Sequence, residues 1–162
     1  MGVLNRDSVQ RVRDALVQHG SNAKIVALEE TARTARDAAA ALGCSLGAIV
    51  KSLVFLCGDE AVLALVAGDR QCDPAELRGA LGRTGDVKIA DADAVRTATG
   101  FAIGGVAPVG HPKPLPTLID DSLRRFDTVY AAAGHPHCVF GTTVDELFAL
   151  TGGRVAAGIT RL

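Results

Sequence analysis

Aromatic residues are scarce in this sequence. It contains no tryptophan, one tyrosine and five phenylalanines among 162 residues, although 48% of its residues are hydrophobic. The core must therefore be built mainly from alanine, valine, leucine and isoleucine. A surplus of positive charge is also missing, since the formal net charge is −1 at pH 7. Proteins that bind nucleic-acid duplexes broadly are usually strongly basic, so this balance argues against DNA as a partner and leaves local contact with one RNA end.

Signals for metal binding, secretion and membrane insertion are missing as well. The cysteines at positions 44, 57, 72 and 138 form no C-x-x-C pair, which argues against a zinc ribbon or a thioredoxin-like site. The charged N-terminal stretch lacks an apolar signal segment, and no apolar run approaches the ~18 residues typical of a membrane span. We therefore expect a reduced, cytoplasmic protein with no membrane partner, metal or cofactor.

Helix and strand patterns alternate along the chain, and its length suits a single domain over residues 1–162. Apolar periodicity and capping residues predict helices at 8–18, 34–43, 73–81, 91–100 and 143–152. Strands are predicted at 24–28, 48–56, 61–67, 87–89, 118–120, 129–132, 138–140 and 155–159. Gly58-Asp59 indicates a hairpin turn, so some strands pair antiparallel. We predict an α/β fold with a mixed sheet, curled toward a barrel, and helices packed outside it.

The most unusual stretch is the loop at residues 99–116, TGFAIGGVAPVGHPKPLP, which holds four glycines and four prolines. Loops of this length inside compact domains are uncommon and often functional. Glycine allows close backbone approach and proline stiffens the chain, so the loop could present N–H groups to an oxyanion or a carbonyl. It matches no nucleotide-binding glycine motif. The alternative interpretation is a solvated surface loop.

A second unusual feature is Lys51, which interrupts the apolar run at 49–55. Strand alternation places it on the same face as Leu53 and Phe55, where lysine is rarely buried without a partner. One interpretation is an edge-strand lysine that reaches solvent. The other is a fixed ammonium that holds a phosphate or a polarised oxygen. Ser52 points to the opposite face, which makes a Ser-Lys nucleophile pair geometrically poor.

Two histidines lie close together in the sequence Gly134-His135-Pro136-His137. They could ligate a metal with His111 as third ligand, although no carboxylate or cysteine is spaced to complete that site. A loop turning into a strand is a second interpretation. A third interpretation makes Gly134 and His135 one wall of a ligand pocket, with Lys51 and the glycine-proline loop at its other walls.

Three motifs in this order resemble one known family. IVKSLVF, TGFAIGGVAPVGHPKPLP and AAAGHPHCVFGTTVDELFALTGG are similar to the YbaK and prolyl-tRNA synthetase-associated editing domains, with similarity from residue 31 to the last helix. The resemblance implies an aminoacyl-tRNA deacylase whose strongly curved mixed sheet is surrounded by helices. It implies catalytic roles for Lys51, Gly104 and Gly105, and substrate binding by Ser52, Pro108, Gly110, Gly134 and His135. Ala107-Pro108 stands where the cysteine-editing branch tends to carry S-P, so the amino acid removed stays open.

Such an ester hydrolase needs no protein nucleophile. Backbone N–H groups would stabilise the charge on the carbonyl oxygen, a lysine would anchor the terminal phosphate, and a ribose hydroxyl and a water would transfer protons. The expected substrate is the acceptor end of mischarged tRNA, notably tRNA-Pro carrying alanine or cysteine, with prolyl-tRNA synthetase as a candidate partner. Two alternatives are a non-catalytic module that holds an aminoacyl or nucleotide end beside a synthetase, and a metal hydrolase built on the three histidines.

Overall fold

The computed structural model describes residues 2–29 and 31–162. The described residues form the helices α1 (Asp7–Gln18), α2 (Ala35–Leu42), α3 (Pro74–Leu81), α4 (Ala92–Thr99) and α5 (Val144–Thr151). The strands are β1 (Ile25–Ala27), β2 (Ile49–Cys57), β3 (Glu60–Ala67), β4 (Gln71–Cys72), β5 (Val87–Ile89), β6 (Thr117–Asp120), β7 (Val129–Ala132), β8 (Cys138–Thr142), β9 (Arg154–Ala156) and β10 (Thr160–Arg161). None of the described helices is long and apolar enough to cross a membrane.

Capping residues set the helix ends. Thr34 and Asp37 form the predicted capping box of α2, and Gly43 ends this helix in the left-handed conformation with φ 69°. The capping box predicted for α5 is only half formed. Thr143 Oγ1 accepts a hydrogen bond from the Glu146 amide at 3.0 Å, but the Glu146 carboxylate accepts from the Thr142 hydroxyl at 2.6 Å. A neighbouring hydroxyl thus replaces the backbone N–H as the partner of this carboxylate.

The main sheet is mixed, as predicted. Its strands follow the order β1-β8-β7-β2-β3-β6-β9, and β5 pairs with the far end of β2. The β2–β3 hairpin turns at Gly58-Asp59 and is antiparallel, whereas β2–β7, β3–β6 and β6–β9 are parallel pairs. The mixed α/β architecture is therefore confirmed, while closure into a barrel stays a prediction.

The predicted strand at 155–159 is wrong in one respect. The chain leaves the main sheet after Ala156, turns at Gly158 with φ 78°, and forms β10, which pairs with β4 in a separate two-stranded sheet. Only glycine adopts such a φ without strain, so the turn divides the segment into two short strands. As a result, Thr160 lies beside the segment that follows β3.

Aliphatic side chains fill both faces of the sheet, as the shortage of aromatics predicts. On one face, Val50, Leu65 and Ile119 pack in the same cluster as apolar residues of α1 and α5. On the other face, Phe55 and Val66 pack with Leu77 of α3. Lys51 lies opposite Val66 in the β2–β3 register, so it belongs to this second face.

Candidate active site

A cavity lies where the sheet divides beside β2. One side of β2 pairs with β7 at Ile49 and Val50 and with β5 at residues 55–57. Within the described chain, residues 51–53 have no strand neighbour on that side. A cavity of ≈310 Å³ occupies this division. The backbone edge of β2 and both faces of its side chains can therefore reach one ligand.

Small apolar side chains form most of the cavity wall. Ile49 and Tyr130 are register partners, so strand alternation places them on the same face as Leu53 and Ala132. The start of α2 and the residues before it lie over this face, and the glycine-proline loop and Pro136 close one end. The remaining lining residues are Ala32, Arg33, Thr34, Ala35, Ala38, Val50, Lys51, Ser52, Ile103, Gly104, Val106 and Val139.

Lys51 is half-buried in this wall. Its Nζ donates a hydrogen bond to the Arg70 carbonyl at 2.5 Å, which leaves two of its three N–H donors for a ligand. Burial lowers the pKa of the Lys51 amine, and the charges of Asp69, Cys72 and Asp120 oppose that shift. The predicted face of Lys51 is confirmed. β2 lies inside the sheet, but at Lys51 one side of the strand has no strand neighbour among the described residues and borders the cavity, so the edge-strand interpretation fits β2 as a whole poorly and is not excluded at Lys51.

Ser52 is also a lining residue of the cavity, but its side chain lies on the face of β2 opposite Lys51, beside Leu65. Its Oγ is buried, and it has no hydrogen-bond partner among the described residues. Buried hydroxyl groups are normally paired, so this one is an exception close to the cavity. The predicted substrate contact of Ser52 stays a prediction, and its position in the wall is compatible with it.

The glycine-proline loop turns sharply at residues 102–105. Gly104 occupies the third position with φ 89°, and Gly105 N donates to Ala102 O at 3.0 Å. The Gly105 amide is therefore already used, and it is a poor candidate for an oxyanion donor. The amides of Gly104 and Val106, which do line the cavity, make no hydrogen bond to the described residues. The predicted catalytic roles of Gly104 and Gly105 stay predictions, and Val106 is a further residue of the loop whose amide makes no hydrogen bond to the described residues.

Gly105 has a packing role instead. A Cβ at this position would lie 2.9 Å from both the amide nitrogen and the Cα of His135. The two loops therefore pack backbone to backbone, which only glycine permits here. Pro136 follows this contact and lines the cavity beside Gly104.

The structure does not bring Gly134 and His135 into the lining of the cavity at Lys51, and their predicted substrate contacts stay predictions. Gly134 has φ 94°, and a Cβ here would lie 2.5 Å from the Ser8 carbonyl oxygen, so this position faces α1. His135 lines a different cavity of ≈570 Å³ together with Arg6 and His137, and the rings of the two histidines are 5.1 Å apart. Of residues 134–137, Pro136 is the one that lines the candidate active site.

The second half of the glycine-proline loop also lies elsewhere. Pro108 and Gly110 line a third cavity of ≈380 Å³ beside His111, whose Nε2 is 2.7 Å from the Ala107 carbonyl oxygen. Their predicted substrate contacts therefore have no support from the cavity at Lys51. Within residues 2–29 and 31–162, no group of three potential ligands is placed to hold a metal ion. The three histidines of the metal hypothesis are thus not brought together.

Comparison with known proteins identifies the family. The family model for the aminoacyl-tRNA editing domain matches residues 29–150. The chain belongs to the aminoacyl-tRNA editing domain family. This membership confirms the family predicted from the sequence, and with it an enzyme of aminoacyl-tRNA editing.

Several relatives resemble this editing domain over most of its length. A crystal structure of a protein proposed as a trans-editing enzyme for prolyl tRNA synthetase is 44% identical, covers 94% of this chain and 96% of its own, and superposes with a TM-score of 0.89. YwhH of Bacillus subtilis, an uncharacterised protein, is 33% identical over 86% of this chain and 88% of its own. EbsC of Enterococcus faecalis, provisionally named a Cys-tRNA(Pro)/Cys-tRNA(Cys) deacylase, is 26% identical over 79% of this chain and 78% of its own.

The editing domain also matches part of a much larger enzyme. The proline–tRNA ligase of Thermoanaerobacter sp. (strain X514) is 32% identical over 57% of this chain, which corresponds to 16% of the ligase. The editing domain is thus similar in sequence to a segment of a prolyl-tRNA ligase, and prolyl-tRNA synthetase as a partner of this chain stays a prediction.

The sequence did not predict that helix α2 and Ile103 form part of the cavity wall in this editing domain. Ala35 and Ala38 of α2 line the cavity together with Ile103, whose side chain is 57% exposed. Alanine and isoleucine carry no reactive group, so no chemical motif marks them. The one available signal was the alanine-rich sequence of α2, which indicates a helix that can approach its neighbours closely.

Proposed function

We propose that this editing domain hydrolyses the ester bond of tRNA charged with a small, uncharged wrong amino acid, tRNA-Pro being the preferred substrate, in the cytoplasm. The observation that carries the proposal is the cavity itself. It combines an ammonium group, unpaired backbone amides and small apolar walls within ≈310 Å³. We also propose that the chain forms one editing domain.

The cationic end of the cavity suits the terminal phosphate. Lys51 has two free N–H donors, and the exposed Arg33 lies at the rim. An ammonium binds phosphate as a point charge, and the aliphatic wall around it weakens competition from water. This anchor would fix the terminal nucleotide and leave its ester pointing toward the glycine-proline loop.

The part of the cavity wall formed by the glycine-proline loop suits the ester carbonyl. Gly104 lies in the turn and Val106 follows it, and neither amide makes a hydrogen bond to the described residues. Donors of this kind stabilise the oxyanion that forms when water adds to the carbonyl carbon. The C–O bond to the ribose then breaks, and the ribose oxygen takes up the proton that the water has lost. No protein atom is covalently modified in this sequence of steps.

The available thiols do not offer an alternative nucleophile. Cys138 is fully buried in the core, and none of the four cysteines lines the cavity. Burial also raises the pKa of the Cys138 thiol, which disfavours the reactive thiolate. Water is therefore the attacking group in the proposal.

Small side chains fit the apolar wall. Ala35, Ala38 and Ala132 present single methyl groups, so an alanyl or cysteinyl group can enter, whereas a charged group would lose hydration against these methyl groups. A synthetase separates small side chains poorly by binding alone, so a second hydrolytic site has a clear purpose. The names of the relatives support tRNA-Pro as substrate and prolyl-tRNA synthetase as partner.

The proposal is tested by hydrolysis of a panel of charged tRNAs. Purified protein is incubated with alanyl-, cysteinyl-, seryl- and prolyl-tRNA-Pro, and the loss of each ester is followed over time. We expect alanyl or cysteinyl esters to be lost fastest and prolyl esters to survive. Hydrolysis of prolyl-tRNA faster than that of every smaller group would contradict an editing role, and hydrolysis of none would contradict catalysis.

A further inference from the structure

The ammonium of Lys51 is held by the turn that follows β3. Nζ donates to the Arg70 carbonyl at 2.5 Å, and Arg70 N donates to the Ala67 carbonyl at 3.0 Å, which closes a turn over residues 67–70. Gly68 lies so close to Leu46 that a Cβ would be 2.4 Å from its carbonyl oxygen. Any group that fixes the position of this turn therefore also fixes the position of the Lys51 ammonium group.

Asp120, at the end of β6, is bound to this turn. It is 1% exposed, and its carboxylate accepts hydrogen bonds from Ala67 N at 3.1 Å and from Thr160 Oγ1 at 3.2 Å. Two further bonds, from Ser122 N at 3.0 Å and Ser122 Oγ at 2.8 Å, start the short helical turn after β6. Capping explains only the Ser122 bonds. The other two join Asp120 to β3 and β10.

Thr160 links Asp120 to the residue that holds the lysine. Arg70 Nε donates to Thr160 Oγ1 at 2.7 Å, and a second guanidinium nitrogen donates to the Thr160 carbonyl at 2.9 Å. A hydroxyl can accept one hydrogen bond and donate another, so Thr160 accepts from Arg70 and donates to Asp120. On the other side of the turn, Asp69 accepts two bonds from Arg125 at 2.8 and 2.9 Å. The turn is thus held from both sides.

We propose that Asp120, acting through Thr160 and Arg70, is a positioning residue that fixes the Lys51 ammonium at the cavity. The inference deepens the proposed function, since it rests on the role of Lys51 in binding substrate. It also gives a purpose to β10, which lies outside the residues 29–150 matched by the family model. The buried negative charge of Asp120 also helps to keep Lys51 protonated, because it favours the charged form of the amine and opposes the lowering of its pKa by burial.

Three variants separate positioning from general stability. Asp120→Asn removes the charge. Thr160→Val removes the hydroxyl that joins Asp120 to Arg70 Nε, while it keeps the carboxylate, the side-chain shape and the bond from Arg70 to the Thr160 backbone carbonyl. Thr142→Val is the matched control: its hydroxyl is also buried and also donates to a carboxylate, that of Glu146, but it does not contact the Lys51 turn. If Asp120→Asn fails to fold, Thr160→Val decides the question.

The primary measurement needs no substrate. The chain has four lysines, so protein labelled with ¹³C at lysine Cε gives four signals, and Lys51→Met identifies the one from Lys51. The charged and titratable groups that act on this amine are Asp69, Cys72 and Asp120. We expect Asp120→Asn to lower the pKa of Lys51, Thr160→Val to displace its signal, and Thr142→Val to leave both unchanged.

A second measurement follows kcat/KM for the most reactive ester. We expect Thr160→Val to lower it about tenfold or more, since misplaced binding groups can cost up to ~10²-fold, and Thr142→Val to stay near the wild-type value. The inference is overturned if the chemical shift and the pKa of Lys51 are unchanged in folded Asp120→Asn and Thr160→Val proteins, whether or not their activity falls. If the wild type hydrolyses no ester but the Lys51 shifts occur, the positioning network stands and only the proposed function fails.

Discussion

Replacement of Lys51 by methionine tests the phosphate anchor most directly. Methionine keeps most of the aliphatic stem that lines the cavity and removes only the ammonium. A hydrogen bond to a charged group contributes about 1.5–3 kcal/mol. At 1.4 kcal/mol per tenfold change, its loss predicts a fall of about 10- to 150-fold in kcat/KM. The fold should survive, because the lost bond to the Arg70 carbonyl, also about 1.5–3 kcal/mol, is offset by a half-buried charge that no longer needs to be desolvated.

The matched control is Lys88→Met. Lys88 is an exposed strand lysine in β5, outside the lining of the cavity, and its loss changes the net charge by the same amount. Single-turnover ester loss from alanyl-tRNA is measured for both variants, with thermal unfolding as a check on folding. We expect the control to retain wild-type rates. Near wild-type hydrolysis by a folded Lys51→Met protein would falsify the assignment of this cavity as the active site.

Three further substitutions test the remaining parts of the site. Gly105→Ala should lower the rate for every aminoacyl group, because its Cβ would lie 2.9 Å from the His135 backbone. The fall is up to ~10²–10³-fold if the neighbouring amides are displaced. Equal rates for the wild type and the variant would contradict this. Gly134→Ala should reduce the free energy of unfolding by about 1–3 kcal/mol, measured with urea. The order of hydrolysis rates among the aminoacyl esters should stay unchanged. A changed order would indicate that Gly134 contacts the substrate. Ala38→Val should slow hydrolysis of seryl-tRNA more than that of alanyl-tRNA. Ala41→Val, a control on the same helix but outside the cavity lining, should slow neither reaction. Equal slowing of both esters by Ala38→Val would show that this helix does not select by size.

The architecture was predictable because local signals and global structure agree. The capping residues at Thr34 and Asp73 and the left-handed glycines after each helix fix the ends of the helices. The hairpin at Gly58-Asp59 follows equally from its turn residues. The two-residue strands β4 and β10 escaped detection, because so few residues carry no periodicity and depend on their pairing with each other.

The candidate site was predictable only in part. Lys51 stood out because a cation in an apolar strand is costly, and Gly104 because the loop is rich in glycine. The roles predicted for Gly134 and Gly105 stay predictions, and the structure places both glycines at close backbone contacts outside the cavity lining. Glycine is required wherever backbone approaches anything closely, and here it approaches Ser8 and His135 rather than a ligand. The direction of a missing side chain cannot be obtained from sequence, so packing glycines and binding glycines resemble each other.

The parallel pairing of β2 with β7 has a consequence for how the enzyme forms. Residues 49 and 50 meet residues 130 and 131, so the floor of the cavity joins segments from opposite halves of the chain. Contacts between distant segments form slowly, because a long loop must close first. The β2–β3 hairpin can form as soon as its own residues leave the ribosome, whereas the binding cavity must wait for β7 and β8. We therefore expect editing capacity to arise late in folding, after much of the secondary structure is already present.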